Sequence, residues 1–308
     1  MFRSIIFLFT LLPGLALTQN DLNRLMFSYG NSFYNTNYII YVQGRLSNQF
    51  DKELNDIFLS WKNDQHLEVK YEDELDSLDL KKHLVFFGPI KSYKNLDKFS
   101  PEALTFTDTG FRFGDNEFND SLDAINIFSS DSTRYLQLGN SLSAVKSFWS
   151  TYSNMSQYFI MQNYAITHHG FLDCDAFNPA KHYDTKKLRD KQLVHFSTAH
   201  YDFYYNKAIF SDKDKIDSLF NIEDQKFENV IKFFQLTVPE RKISCYLYKD
   251  LEEKYYLSAT PGNGNPFTLA WENHSVGFGP AEHETIHILF DNQVGTYSSF
   301  FSEGVVGY

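Results

Sequence analysis

From residue 37 onward, short runs rich in β-branched and aromatic residues alternate with stretches whose apolar positions recur at helical spacing. That alternation restricts the chain to layered α/β architectures. Residues 38–42, 67–71, 84–88 and 134–138 read as strands, and 50–61 as a helix with Leu54, Phe58 and Trp61 on one face. Residues 104–106 and 124–128 suggest a more irregular hairpin-like region, and Ser141 can cap a helix over 141–149. Residues 158–161 and 165–166 form a hairpin that continues the sheet or bridges to the next unit, with His168 and His169 expected at its turn. The polar stretch 173–189, broken by Pro179, is the expected boundary.

Beyond it, residues 195–205 alternate like a strand. Ser211 and Asp212 can cap a long amphipathic helix over 213–234, with Ile216, Leu219, Phe220, Phe227, Val230, Ile231 and Phe234 as its apolar stripe. Strands are then expected over 242–248 and 267–278, separated by a short helix at 251–256 and a Pro-Gly-Asn-Gly-Asn turn at 261–265. Residues 270–273 read as an edge strand able to pair with an extended peptide, with Glu272 solvated.

The N-terminus carries a different signal. Arg3 precedes an apolar run from Ser4 to Leu17, and a small-x-small site ends at Thr18, as in a secretory signal peptide. The run is too short to span a bilayer comfortably, so the chain is expected to be exported, with no integral membrane segment after cleavage; the alternative reading is an N-terminal membrane-anchor helix. A formal net charge of −11 leaves no basic face for a nucleic acid. The two cysteines, Cys174 and Cys245, either form one disulfide or remain free; neither has a partner at metal-ligand spacing.

The chemistry concentrates near the end. His283, Glu284 and His287 form His-Glu-x-x-His, and fifteen residues separate His287 from Glu303. On a helix, positions i and i+4 share a face, so both imidazoles reach one cation while Glu284 stands beside it. Gly279 and Pro280 mark the helix start, and Ile286, Ile288, Leu289 and Phe290 mark it as a buried helix. A carboxylate from a second helix, opened by Ser302-Glu303-Gly304, would complete three protein ligands and leave one position for water. His195 and His200 flank a strand on opposite faces, and His274 reads as a surface strand residue.

His-Glu-x-x-His with a downstream Ser-Glu-Gly resembles the gluzincin metallopeptidases of clan MA, over about the last 110 residues. The resemblance implies Zn2+ held by His283, His287 and Glu303, with Glu284 as general base, and a peptide or protein as substrate. The implied fold class is α/β and α+β. A signal peptide (1–18) precedes an accessory open α/β layer domain (19–155), a hairpin and linker (156–194), and a gluzincin-like catalytic domain (195–308). The chain stops five residues after Glu303, so the helical C-terminal lobe of gluzincins is expected to be absent from it. The alternative expectation is a non-catalytic exported binding protein whose zinc is structural or vestigial.

Overall fold

The computed structural model describes residues 39–45, 67–146, 148, 156–172, 182–210, 213–260, 262–278 and 281–294. The expected signal peptide, the 50–61 helix, Ser211-Asp212, Gly279-Pro280, Cys174 and Glu303 lie outside them.

In chain order the first strands are β1 (Ile39–Gln43), β2 (Leu67–Tyr71), β3 (His83–Pro89), β4 (Leu104–Phe106), β5 (Phe111–Phe113), β6 (Asn116–Phe118), β7 (Ala124–Phe128) and β8 (Arg134–Gly139). Helix α1 (Leu142–Lys146) and strands β9 (Tyr158–Gln162), β10 (Ala165–Gly170) and β11 (His182–Asp184) follow. Then come α2 (Thr185–Gln192), β12 (Val194–Ser197), β13 (Tyr201–Tyr205), α3 (Lys213–Phe234) and β14 (Ile243–Tyr248). The chain continues through α4 (Leu251–Ser258), β15 (Gly264–Phe267), β16 (Glu272–Val276) and α5 (Ala281–Gln293).

The first sheet has the order β11-β10-β9-β7-β8-β3-β1-β2, parallel from β8 to β2 and antiparallel on the other side. Its central strands are apolar on both faces. Ile39, Tyr41, Val85 and Phe87 enter one core, while Ile40, Val42, Leu84 and Phe86 enter the other. Strands buried on both sides read as continuous apolar runs, which is what β1 and β3 are. The β4-β5-β6 meander contributes Leu104, Phe111, Phe113 and Phe118 to the second core. The hairpin expected over 156–194 is present as β9 and β10, hydrogen-bonded into this sheet through β7.

The second sheet runs β12-β13-β14-β16-β15, with β13, β14 and β16 parallel and the two end strands antiparallel. One face buries Tyr201, Phe203, Cys245 and Leu247 against the α3 stripe and against Ile286, Ile288 and Leu289 of α5. The stripe packs as its spacing predicts: Phe220 and Phe227 are wholly buried, each contributing about 1.5–3 kcal/mol relative to exposure. On the opposite face Tyr204, Tyr246 and His274 stack in a row, with ring centroids 4.9 and 4.8 Å apart, and Arg189 of α2 lies over Tyr246. The two sheets are packed together: Ala259, Phe267 and Ala270 belong to the same core as Val85, Phe87 and Phe159. The architecture is mixed α/β, with two mixed sheets and few helices among the described residues.

Three expectations are corrected. The stretch 267–278 is not one strand: a 3-10 turn over Thr268–Ala270 and Trp271 at φ 60° divide it into β15 and β16. Consequently residues 272–276 are interior, between β14 and β15, and the end strand is β15. The β9–β10 turn is at Asn163 and Tyr164, both at positive φ, which puts His168 and His169 inside β10. Two left-handed residues suit a two-residue hairpin loop, and asparagine tolerates that region best after glycine.

Candidate metal centre

Helix α5 is fixed by contacts on both flanks. Thr285 meets Tyr201 at 2.9 Å between hydroxyls, and Ile288 and Leu289 are wholly buried in the core below. Asn292 donates to the Thr268 carbonyl at 2.7 Å, and Gln293 exchanges two hydrogen bonds with the Thr237 backbone. With Thr285, Ile288 and Leu289 directed inward, helical periodicity leaves His283, Glu284 and His287 on a half-buried face.

The two imidazoles converge there. Their Nε2 atoms are 3.3 Å apart, with ring centroids 5.0 Å apart and planes inclined by 70°. Two nitrogens at that separation either share one proton or give both lone pairs to one cation. One ligand atom from each of His283, Glu284 and His287 lies within 4.8 Å of the other two, and no other such group of three occurs among the described residues. Glu303 lies outside them, so the structure brings together three of the four expected site residues.

Two further groups stand at this site that sequence reasoning missed. A Cβ placed on Gly264 would meet Glu284 Oε1 at 2.6 Å, so the carboxylate lies directly against the backbone of the end strand β15. Lys254, on α4, is wholly buried. Its ammonium donates to the Gly262 carbonyl at 2.9 Å and to Asn265 Oδ1. Burial pulls this ammonium down to about 8, while the charge of Glu284 acts in the opposite direction. Pro266, next to a Gly-Asn-Gly-Asn run, was the available signal for an edge, because proline fits only the rim of a sheet. Nothing in the α4 sequence marks Lys254 as buried.

The other histidines are placed elsewhere. His195 reaches Asp202 at 3.0 Å and His200 reaches Glu228 at 2.6 Å, both on the far side of the second sheet from β15. His274 is wholly buried rather than on the surface, bonded to Tyr248 at 2.7 Å and to Glu272 at 3.0 Å. Strand alternation turns it away from the α5 face, where its neighbour Asn273 lies in register with Cys245. Glu272 is not solvated: it pairs with Arg189 at 3.4 Å. Burial would raise its carboxyl, but Arg189 and His274 outweigh that and hold it well below the usual carboxylate range. Burial pushes His274 down to about 4, against the pull of Glu272. Cys245 is a free, buried thiol, pushed far up by burial and then by Glu223.

No family model matches this chain, and no curated protein sequence or solved structure resembles it significantly.

Proposed function

We propose that this chain is an exported zinc-dependent peptidase of gluzincin type. His283, His287 and Glu303 are its metal ligands and Glu284 its general base. The 3.3 Å separation of the two Nε2 atoms carries the reading. Two nitrogens at about 2.0–2.1 Å from one tetrahedral zinc stand about 3.4 Å apart, so the imidazoles need almost no rearrangement to share one. Bound zinc would serve as a Lewis acid and bring the pKa of a water to roughly 7. Glu284 would accept a proton from the attacking water and return it to the leaving amine nitrogen.

The strand beside Glu284 supports a peptide substrate. Among the described residues β15 ends its sheet, antiparallel to β16, and can add an extended chain along its outer edge through main-chain hydrogen bonds. Gly264 keeps that strand free of a side chain where the carboxylate sits. The apolar leader before residue 19 supports export, and no helix among the described residues is long and apolar enough to cross a membrane.

The test is zinc content by atomic absorption together with cleavage of a mixed peptide pool. Wild type should hold one zinc per chain. Glu284→Gln should keep it and lose roughly 10²–10⁴-fold in kcat. His283→Ala and Glu303→Ala should lose zinc. A wild type that holds zinc and cleaves nothing would instead identify a structural site, and one that holds no zinc would end the metal reading.

A further inference from the structure

Lys254 sits one helix away from the histidine pair, with its side chain wholly buried. An ammonium with no exposed surface is costly to desolvate and persists only where oxygens surround it. Two of those oxygens, the Gly262 carbonyl and Asn265 Oδ1, bracket Gly264 in sequence. Gly264 is in turn the residue whose backbone lies against Glu284 Oε1. The charge of Glu284 reaches the same ammonium. One cation therefore grips the strand on both sides of the point where the strand touches the carboxylate.

We propose that Lys254 is a positioning residue: it clamps the start of β15 against Glu284 and so fixes the carboxylate beside the histidine pair. This rests on the reading of Glu284 as the general base. Lys254 does not itself meet the substrate, since α4 and the 262–265 turn enclose it. Its contribution is geometric. The strand that would receive a peptide and the group that would move the proton are held in one register by a single side chain. A displacement of about 1 Å at such a base costs on the order of 100-fold in rate.

Lys254→Met keeps the length of the side chain and removes the donors. On the full chain loaded with zinc, it should leave zinc stoichiometry unchanged and lower kcat on the order of 10–100-fold with a smaller change in KM. It should also accelerate amide exchange in the segment 262–267 roughly tenfold, with β13 and β14 unaffected. Asn265→Ala, at a partly exposed edge position, should show the same pattern more weakly, and serves if Lys254→Met does not fold. In a Glu284→Gln background, Lys254→Met should slow the residual reaction no further, because its effect passes through the carboxylate.

Equal slowing in both backgrounds would overturn the proposal, as would wild-type kcat in Lys254→Met. If wild type holds zinc but cleaves no peptide, the peptidase reading fails by itself. The clamp is then decided by exchange, and unchanged protection of 262–267 in both variants overturns it.

Discussion

His169 offers a quantitative test of how the first sheet is joined to the second. It lies in β10 with no exposed surface. Its Nε2 is 3.1 Å from the Tyr256 carbonyl, which can only accept, so Nε2 carries the proton. Nδ1 then accepts from Ser156 Oγ at 2.9 Å, and Ser156 in turn accepts from the Tyr255 hydroxyl at 3.2 Å. Tyr183 stacks on the ring at 4.9 Å. No carboxylate among the described residues takes part. Burial is the main force and pushes this imidazole down to about 4 from an ordinary 6.5; the Tyr256 carbonyl opposes it and His168 adds to it. The neutral ring is therefore the native form. Its stabilising contribution is complete above about pH 6.5 and is lost as pH falls toward 4, because the unfolded chain binds the proton more readily there. At 1.36 kcal/mol per pH unit the whole fall is worth about 3 kcal/mol, most of it gone by pH 4.5. His169→Gln keeps a donor toward Tyr256 and abandons Ser156, costing about 1–3 kcal/mol at pH 7. Urea unfolding of both proteins at pH 7.0, 5.5 and 4.5 should show wild type losing about 2–3 kcal/mol relative to the variant across that range. Parallel curves across that range would mean that His169 titrates alike in both states, and the linkage argument would be wrong.

Glu272→Gln leaves Arg189 buried without its counter-charge, which should cost about 3–5 kcal/mol by urea denaturation, whereas Arg189→Met with Glu272→Gln together should cost less than Glu272→Gln alone. Because the Glu272 carboxyl is held below its unfolded value, its share of stability is present above about pH 4.5 and lost below it, a window lower than that of His169. Gln235 ends α3 at φ 54°, with Leu236 N–H donating to the Ile231 carbonyl at 3.0 Å, a left-handed helix cap that favours glycine. Gln235→Gly should accordingly raise stability by about 0.5–1 kcal/mol, visible as a higher melting temperature.

What could be read from the residues is what local periodicity dictates. The α3 stripe, β1, β3 and β14 announce themselves through runs and spacing, and an i, i+4 histidine pair converges on any helix. The break at Trp271 could not be read, because a left-handed residue that is neither glycine nor asparagine leaves no trace in composition. For the same reason residues 267–278 read as one continuous strand, which puts the edge at 270–273 instead of at β15. His274, Glu272 and Arg189 were missed as a buried set because their burial depends on α2 packing over the far face of the second sheet, a contact between segments 83 residues apart in the case of Arg189 and Glu272.

The same distant packing bears on why a chain with a metal motif near residue 283 carries an eight-stranded sheet in front of it. The connection passes through α4. Lys254 faces the Gly262–Asn265 turn and Glu284, while the next two residues, Tyr255 and Tyr256, hold Ser156 and His169 of the first sheet. Ala259 just beyond the helix, and Phe267 at the end of β15, are buried in the core that the first sheet provides. The eight-residue helix thus has one side on the candidate base and the other on the first sheet, and eight residues are too few to hold a helix without packing. If the first sheet sets the position of α4, loosening the His169 network should reach Glu284 through Lys254. On the proposed peptidase reading, His169→Gln would then lower kcat at neutral pH although it lies outside the candidate metal centre, and it would do so without changing the proposed zinc content. Unchanged kcat in a folded His169→Gln protein would show that α4 is held from the second sheet alone.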